Sequence, residues 1–170
     1  MDLKAYIRDV ADFPEAGILF RDITPLLGDA AARRHVIDEM AAYVESRGVD
    51  AIVAIESRGF LFGMPVADRL GLPFVPVRKP GKLPAQRMSV EYSLEYGSGQ
   101  LDIHADALVP GSRVIIIDDL LATGGTAHAA CDLVALLGAA VDSLLFVVEL
   151  QHLGGRARLA GFDVRALVVY

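Results

Sequence analysis

The chain has 170 residues, 54% hydrophobic and 22% charged, a balance that fills one core and argues against a disordered chain. Its formal net charge of −6 argues against general affinity for nucleic acid, whose phosphates attract basic surfaces. No apolar run approaches the ~20 residues of a membrane span, and the opening MDLKAYIRDV carries no signal-peptide core, so a cytoplasmic protein with no membrane partner is expected.

Asp2 can cap a first helix whose face carries Leu3, Tyr6, Ile7 and Val10. Phe13 to Leu27 contains Pro14, Gly17 and Pro25 and reads as an extended loop. A helix is predicted from about Asp29 to Ser46, striped by Val36, Ile37, Met40 and Val44 and stopped by Gly48. Ala51 to Ile55 reads as a short buried strand, Gly59 to Arg69 as a helix ended by Gly71, and Leu72 to Val77 as a strand whose prolines place it near an edge. Arg78 to Asp102 breaks this rhythm with Pro80, Gly81, Pro84, Gly97 and Gly99. A long excursion built on a β-ribbon is expected there, and loops of that length in compact domains are usually functional lids or disordered. A helix over about Gly125 to Leu137, strands at Val141 to Val148 and Val164 to Val169, and a short helix at Gly155 to Leu159 complete the chain. Cys131, the single cysteine, falls in an apolar helical pattern and reads as a core residue. The four histidines show no ligand spacing. Strands alternating with helices predict an α/β fold, a doubly wound, mainly parallel sheet flanked by helices, in a single domain over 1–170.

The densest signal is Val114 to Thr126, VIIIDDLLATGGT. Four apolar residues without alternation read as a strand covered on both faces. Asp118 and Asp119 follow at its carboxyl end, where open α/β sheets bind ligands. The turn Ala122-Thr123-Gly124-Gly125-Thr126 then offers main-chain N–H groups and two hydroxyls at a helix start, a seat for a phosphate dianion. Carboxylates accept hydrogen bonds and repel phosphate, so the acids face sugar hydroxyls and the amides face the anion. Together they describe a pocket for a ribose 5-phosphate. No Gly-Lys-Ser/Thr occurs, which disfavours a nucleoside triphosphatase, and Ile55 stands where a serine-hydrolase elbow needs glycine.

This run resembles the phosphoribosyl pyrophosphate signature of the type I phosphoribosyltransferases. FPEAGILFRDITPLL (Phe13 to Leu27), ESRGFLFG (Glu56 to Gly63), RKPGKLP (Arg78 to Pro84) and YSLEYG (Tyr92 to Gly97) are similar, in order, to blocks of its adenine-specific branch. The resemblance implies the type I phosphoribosyltransferase fold, with 1–27 as an N-terminal base-binding hood and 78–102 as a flexible catalytic lid. It implies adenine and 5-phosphoribosyl 1-pyrophosphate as substrates, AMP and pyrophosphate as products, Mg²⁺ held mainly through substrate and water, and a homodimer. Ser57, Arg58, Arg78 and Lys82 would hold pyrophosphate, with Lys79 matching less decisively. A planar guanidinium suits phosphate oxygens better than an ammonium does. Glu95 would move the purine proton beside the catalytic Arg58, and Tyr96 would sit on the lid. Leu19, Phe20, Arg21 and Leu120 would contact adenine. Two other readings stay open: the same reaction on another base, or a binding module that senses the sugar pyrophosphate without catalysis.

Overall fold

The computed structural model describes residues 1–93 and 98–170, which form two compact units, Met1–Glu39 and Met40–Tyr170. In the first, Asp2 caps as expected, accepting the Lys4 amide at 3.1 Å, but the helix is a single 3-10 turn, Leu3–Tyr6. Val10 belongs instead to β1 (Arg8–Ala11), which pairs antiparallel with β2 (Leu19–Asp22) inside the segment expected to be loop. Charge explains the difference. The register sets Arg8 against Asp22 and Asp9 against Arg21, and both opposed pairs form ion pairs. Cross-strand complementarity of this kind fixes a register that apolar periodicity does not reveal. The Thr24 hydroxyl and Arg8 hold the Asp22 carboxyl down at about 2. Asp22 also accepts the Thr24 amide at 2.8 Å as α1 (Thr24–Gly28) begins, with Pro25 in its first turn. Asp29 accepts the amides of Ala31 and Ala32 and starts α2 (Ala30–Arg47), on which Val36, Met40 and Val44 are buried and Ile37 is half-buried.

The second unit is built on five parallel strands, β3 (Ala51–Ile55), β4 (Phe74–Val77), β7 (Arg113–Leu121), β8 (Ala140–Glu149) and β9 (Asp163–Val169), in the order β4-β3-β7-β8-β9. A two-stranded antiparallel ribbon, β5 (Arg87–Ser93) and β6 (Ser98–His104), fills much of the expected excursion. Every residue of β3 is buried, as are Val114 to Ile117 of β7, which is why neither strand alternates in sequence. Val53, Ile55, Val114 and Ile116 share one core cluster with Leu133 and Val134 of α4 (Gly125–Leu136) and with Leu101 and Ile103 of the ribbon. Cys131 lies in that cluster, and burial pushes its thiol up to about 12. On the opposite face α3 (Phe60–Leu70) packs on β3, β4 and β7. It approaches so closely that a Cβ at Gly63 would stand 2.6 Å from the Ala54 Cβ. Gly71 closes α3 in the left-handed region at φ 64°.

The chain leaves β3 through α3 to reach β4 on one side, while β7 pairs on the other. The crevice between β3 and β7 is therefore the topological switch point, where open α/β sheets bind ligands. Edge strand β4 accommodates Pro76 as anticipated, but starts at Phe74 rather than Leu72, because the Leu72 amide still bonds to Ala67 of α3 at 3.0 Å. Strand β7 outlasts its apolar run. Leu120 and Leu121 still pair with Val148 and Glu149, so the two acids sit inside the ladder with the turn beyond them. The short α5 (Gly155–Arg158) precedes β9.

Candidate active site

At the carboxyl ends of β3 and β7 lies a cavity of about 770 Å³, lined by Glu56 to Arg58, by Asp118 to Ala127 and by Lys79, Pro80, Tyr92 and Ser98 to Leu101. Its floor is the turn between β7 and α4. Gly124 adopts φ +80°, a left-handed conformation, and a Cβ there would stand 2.7 Å from the Gly155 carbonyl oxygen. Both facts demand glycine. The first helical bond of α4 runs from the His128 amide to Gly124 O at 2.9 Å, and no side chain caps the helix among the described residues. The first-turn amides preceding His128 have no acceptor within the helix and stand at the positive end of its dipole.

The acids of β7 form one wall. The Asp119 amide donates to Asp118 Oδ1 at 2.9 Å, and Arg58 Nε lies 2.8 Å from Asp119 Oδ2. Burial raises the Asp118 carboxyl well above the usual carboxylate range, and the charge of Asp119 raises it further. Burial also raises Asp119, against the opposing pull of Arg58. The pair therefore holds protons more tightly than a lone acid in water.

The other wall is the turn after β3, where the Glu56–Ser57 peptide is cis. Gly59 lets this turn cross both strand ends, since a Cβ would stand 2.6 Å from Ile55 O, 2.8 Å from Ile117 O and 2.9 Å from Asp118 Oδ1. Glu56 accepts from Arg78 Nε and from the Lys79 amide, each at 3.1 Å. Burial pushes the Glu56 carboxyl up, but these contacts outweigh it and hold it below its ordinary value. Arg78 also donates through Nη1 to Lys82 O at 3.1 Å.

Ser57, Arg58, Asp118, Asp119, Leu120 and the run Ala122 to Thr126, widely spaced in sequence, are thus brought around one cavity. Arg78 stands beside it through Glu56, and Lys82 is exposed, while Lys79 takes a place in the lining. In the first unit, Leu19 is 46% exposed, Phe20 meets Phe13 edge to face at 5.1 Å between ring centres, and Arg21 pairs with Asp9. Glu95 and Tyr96 lie outside the described residues. Sequence reasoning gave no role to Glu56, Tyr92 or Gln100. The first fills a strand-end position equivalent to that of the acids on β7, a symmetry the sequence already displays. The other two emerge only from the ribbon register.

The phosphoribosyl transferase domain matches residues 27–158. An adenine phosphoribosyltransferase from Caldanaerobacter subterraneus subsp. tengcongensis is 56% identical over 169 residues, covering 99% of this chain and 98% of that one. The crystal structure of adenine phosphoribosyltransferase from Thermoanaerobacter pseudethanolicus superposes with a TM-score of 0.96 at 54% identity, over 99% of this chain and 98% of the other. That of the Saccharomyces cerevisiae enzyme, complexed with an imino-altritol bisphosphate and adenine, gives 0.93 at 42% identity over 98% and 96%. The cavity at the switch point, the helix start without a side-chain cap and similarity along the whole chain converge: the chain belongs to the phosphoribosyltransferases, in the adenine phosphoribosyltransferase family.

Proposed function

We infer that the chain transfers the 5-phosphoribosyl group of 5-phosphoribosyl 1-pyrophosphate to adenine, giving AMP and pyrophosphate. The observation that carries this reading is the juxtaposition of an acid pair and a capless helix start in one cavity, with Arg58 at its rim. The 5-phosphate sits on the amides and hydroxyls of Ala122 to Thr126. Asp118 and Asp119 accept the ribose hydroxyls. Arg58, with the Ser57 turn, Arg78 and Lys82, draws off the negative charge of the departing diphosphate, and leaving Asp119 for diphosphate oxygens exchanges one anionic partner for another. As the C1–oxygen bond loosens, positive charge develops on the ribose, and the purine nitrogen captures C1 from the opposite face. Glu95 takes the proton that nitrogen releases. Leu120 gives the purine an apolar surface, and the segment Leu19 to Arg21 reads its edge.

The donor set fits a hard cation held mostly through substrate. Three carboxylates, Glu56, Asp118 and Asp119, line the cavity, yet no cluster of three or more His, Cys, Asp or Glu forms a dedicated cage among the described residues. Bound with the donor, Mg²⁺ would neutralise diphosphate charge, with Asp118 and Asp119 reaching it directly or through water.

We further propose a cytoplasmic homodimer; Leu61 and Met64, exposed on α3, supply an apolar patch that a second copy would cover. The deciding experiment is pyrophosphate release with adenine, hypoxanthine, guanine and xanthine in turn. Turnover with adenine far above the rest supports the reading. Turnover with another base redirects it, and donor binding without release for any base identifies a sensor.

A further inference from the structure

Tyr92 lies on β5 directly across from Gly99 on β6. A Cβ at Gly99 would stand 2.6 Å from Tyr92 Cζ and 2.8 Å from its hydroxyl oxygen, so the ring occupies the space a side chain at 99 would need. That placement brings the hydroxyl to 3.4 Å from Oγ1 of Thr126, in the first turn of α4. Tyr92, Gly99 and Thr126 all line the cavity, and β5 packs on α4.

A threonine hydroxyl has one proton and two lone pairs. In the arrangement seen, Thr126 donates toward Tyr92. A sugar phosphate dianion brings acceptors only, so a Thr126 that serves it must give its proton to a phosphate oxygen. Its lone pairs then become free to accept the Tyr92 proton. The result is a chain from phenol to hydroxyl to phosphate in which each bond polarises the next. The present 3.4 Å exceeds the ~2.7–2.8 Å usual between hydroxyls, leaving room for the contact to tighten. Without the phenol, the Thr126 hydroxyl loses this side-chain partner and is free to rotate away from a phosphate.

We propose that Tyr92 is a positioning residue for the sugar-phosphate seat, aiming the Thr126 hydroxyl at the 5-phosphate and so favouring phosphorylated sugars without touching them. This rests on reading the β7–α4 turn as the phosphate seat.

Calorimetry with ribose 5-phosphate and, separately, with inorganic pyrophosphate tests it on wild type, Tyr92→Phe, Thr126→Val, the double variant and Gly99→Ala. Tyr92→Phe should weaken ribose 5-phosphate about three- to tenfold, the worth of one hydrogen bond, and leave pyrophosphate within about twofold. Adding Tyr92→Phe to Thr126→Val should cost nothing more. Gly99→Ala, which displaces the ring but keeps both hydroxyls, should weaken ribose 5-phosphate in the same direction. The proposal is overturned if Tyr92→Phe binds ribose 5-phosphate like wild type, if it weakens both ligands equally, if the two hydroxyl deletions add, or if Gly99→Ala binds normally. A wild type that takes pyrophosphate but not ribose 5-phosphate would remove the phosphate seat itself, a result distinct from all of these.

Discussion

Arg58 and Asp119 come from different strand ends, yet Arg58 Nε and Asp119 Oδ2 are 2.8 Å apart across the mouth of the cavity. The contact joins the residue assigned to pyrophosphate with one assigned to ribose. The acid is buried and the arginine 41% exposed, so Asp119 depends on the pair more than Arg58 does. Removing either partner should therefore disturb both tasks. Arg58→Ala and Asp119→Asn should each weaken donor binding by about tenfold or more, the scale of a charge-assisted hydrogen bond. Together they should cost clearly less than the product of the two. Isothermal titration of the four proteins with 5-phosphoribosyl 1-pyrophosphate measures this, and strictly multiplicative losses would show that the two residues act independently.

Asp118 carries an opposite trade. Its folded-state carboxyl is raised by burial and by Asp119, so the folded chain binds a proton that the unfolded chain has already released. Stability from this group is then greatest in acid and declines as pH rises from the ordinary carboxylate value through the raised one. Asp118→Asn escapes that decline. It should melt higher than wild type near pH 8, with the margin closing toward pH 4. It should also bind donor more weakly. Thermal melts across that range check the first half, and a margin that widens in acid would reverse the assignment.

Gly124 tests the proposed phosphate seat from the backbone. Gly124→Ala places a Cβ at φ +80° and 2.7 Å from the Gly155 carbonyl. The left-handed conformation alone costs about 1–2 kcal/mol, and the clash adds to it. The melting temperature should fall by several degrees, and affinity for AMP should fall more than affinity for pyrophosphate.

Glu95→Gln removes the proposed proton acceptor and keeps the shape. kcat should drop about 10²- to 10⁴-fold with the donor KM little changed. Steady-state kinetics decide this, and unaltered kcat would take Glu95 out of the chemistry.

Much of this architecture was legible because burial on two faces writes itself into composition. The runs AIVAI and VIII place β3 and β7, and Gly48, Gly71 and Gly124 mark turns that the structure makes with positive φ. The acids and the helix-start turn were legible because both lie on one continuous stretch. What escaped depends on pairing. Asp9, Arg21, Arg8 and Asp22 form a hairpin only once two segments meet in register. The Arg58–Asp119 and Glu56–Arg78 pairs join residues from separate βα units. Tyr92 reaches Thr126 because Gly99 lies opposite it, a relation no local pattern contains.

The central claim is that a ribose 5-phosphate is held where β7 gives way to α4. A crystal structure of the protein with AMP tests it most directly. The phosphate should lie on the amides of Thr123 to Thr126, with the ribose hydroxyls within hydrogen-bond distance of Asp118 and Asp119. A nucleotide bound with its phosphate elsewhere, or with its ribose turned away from both acids, would contradict it.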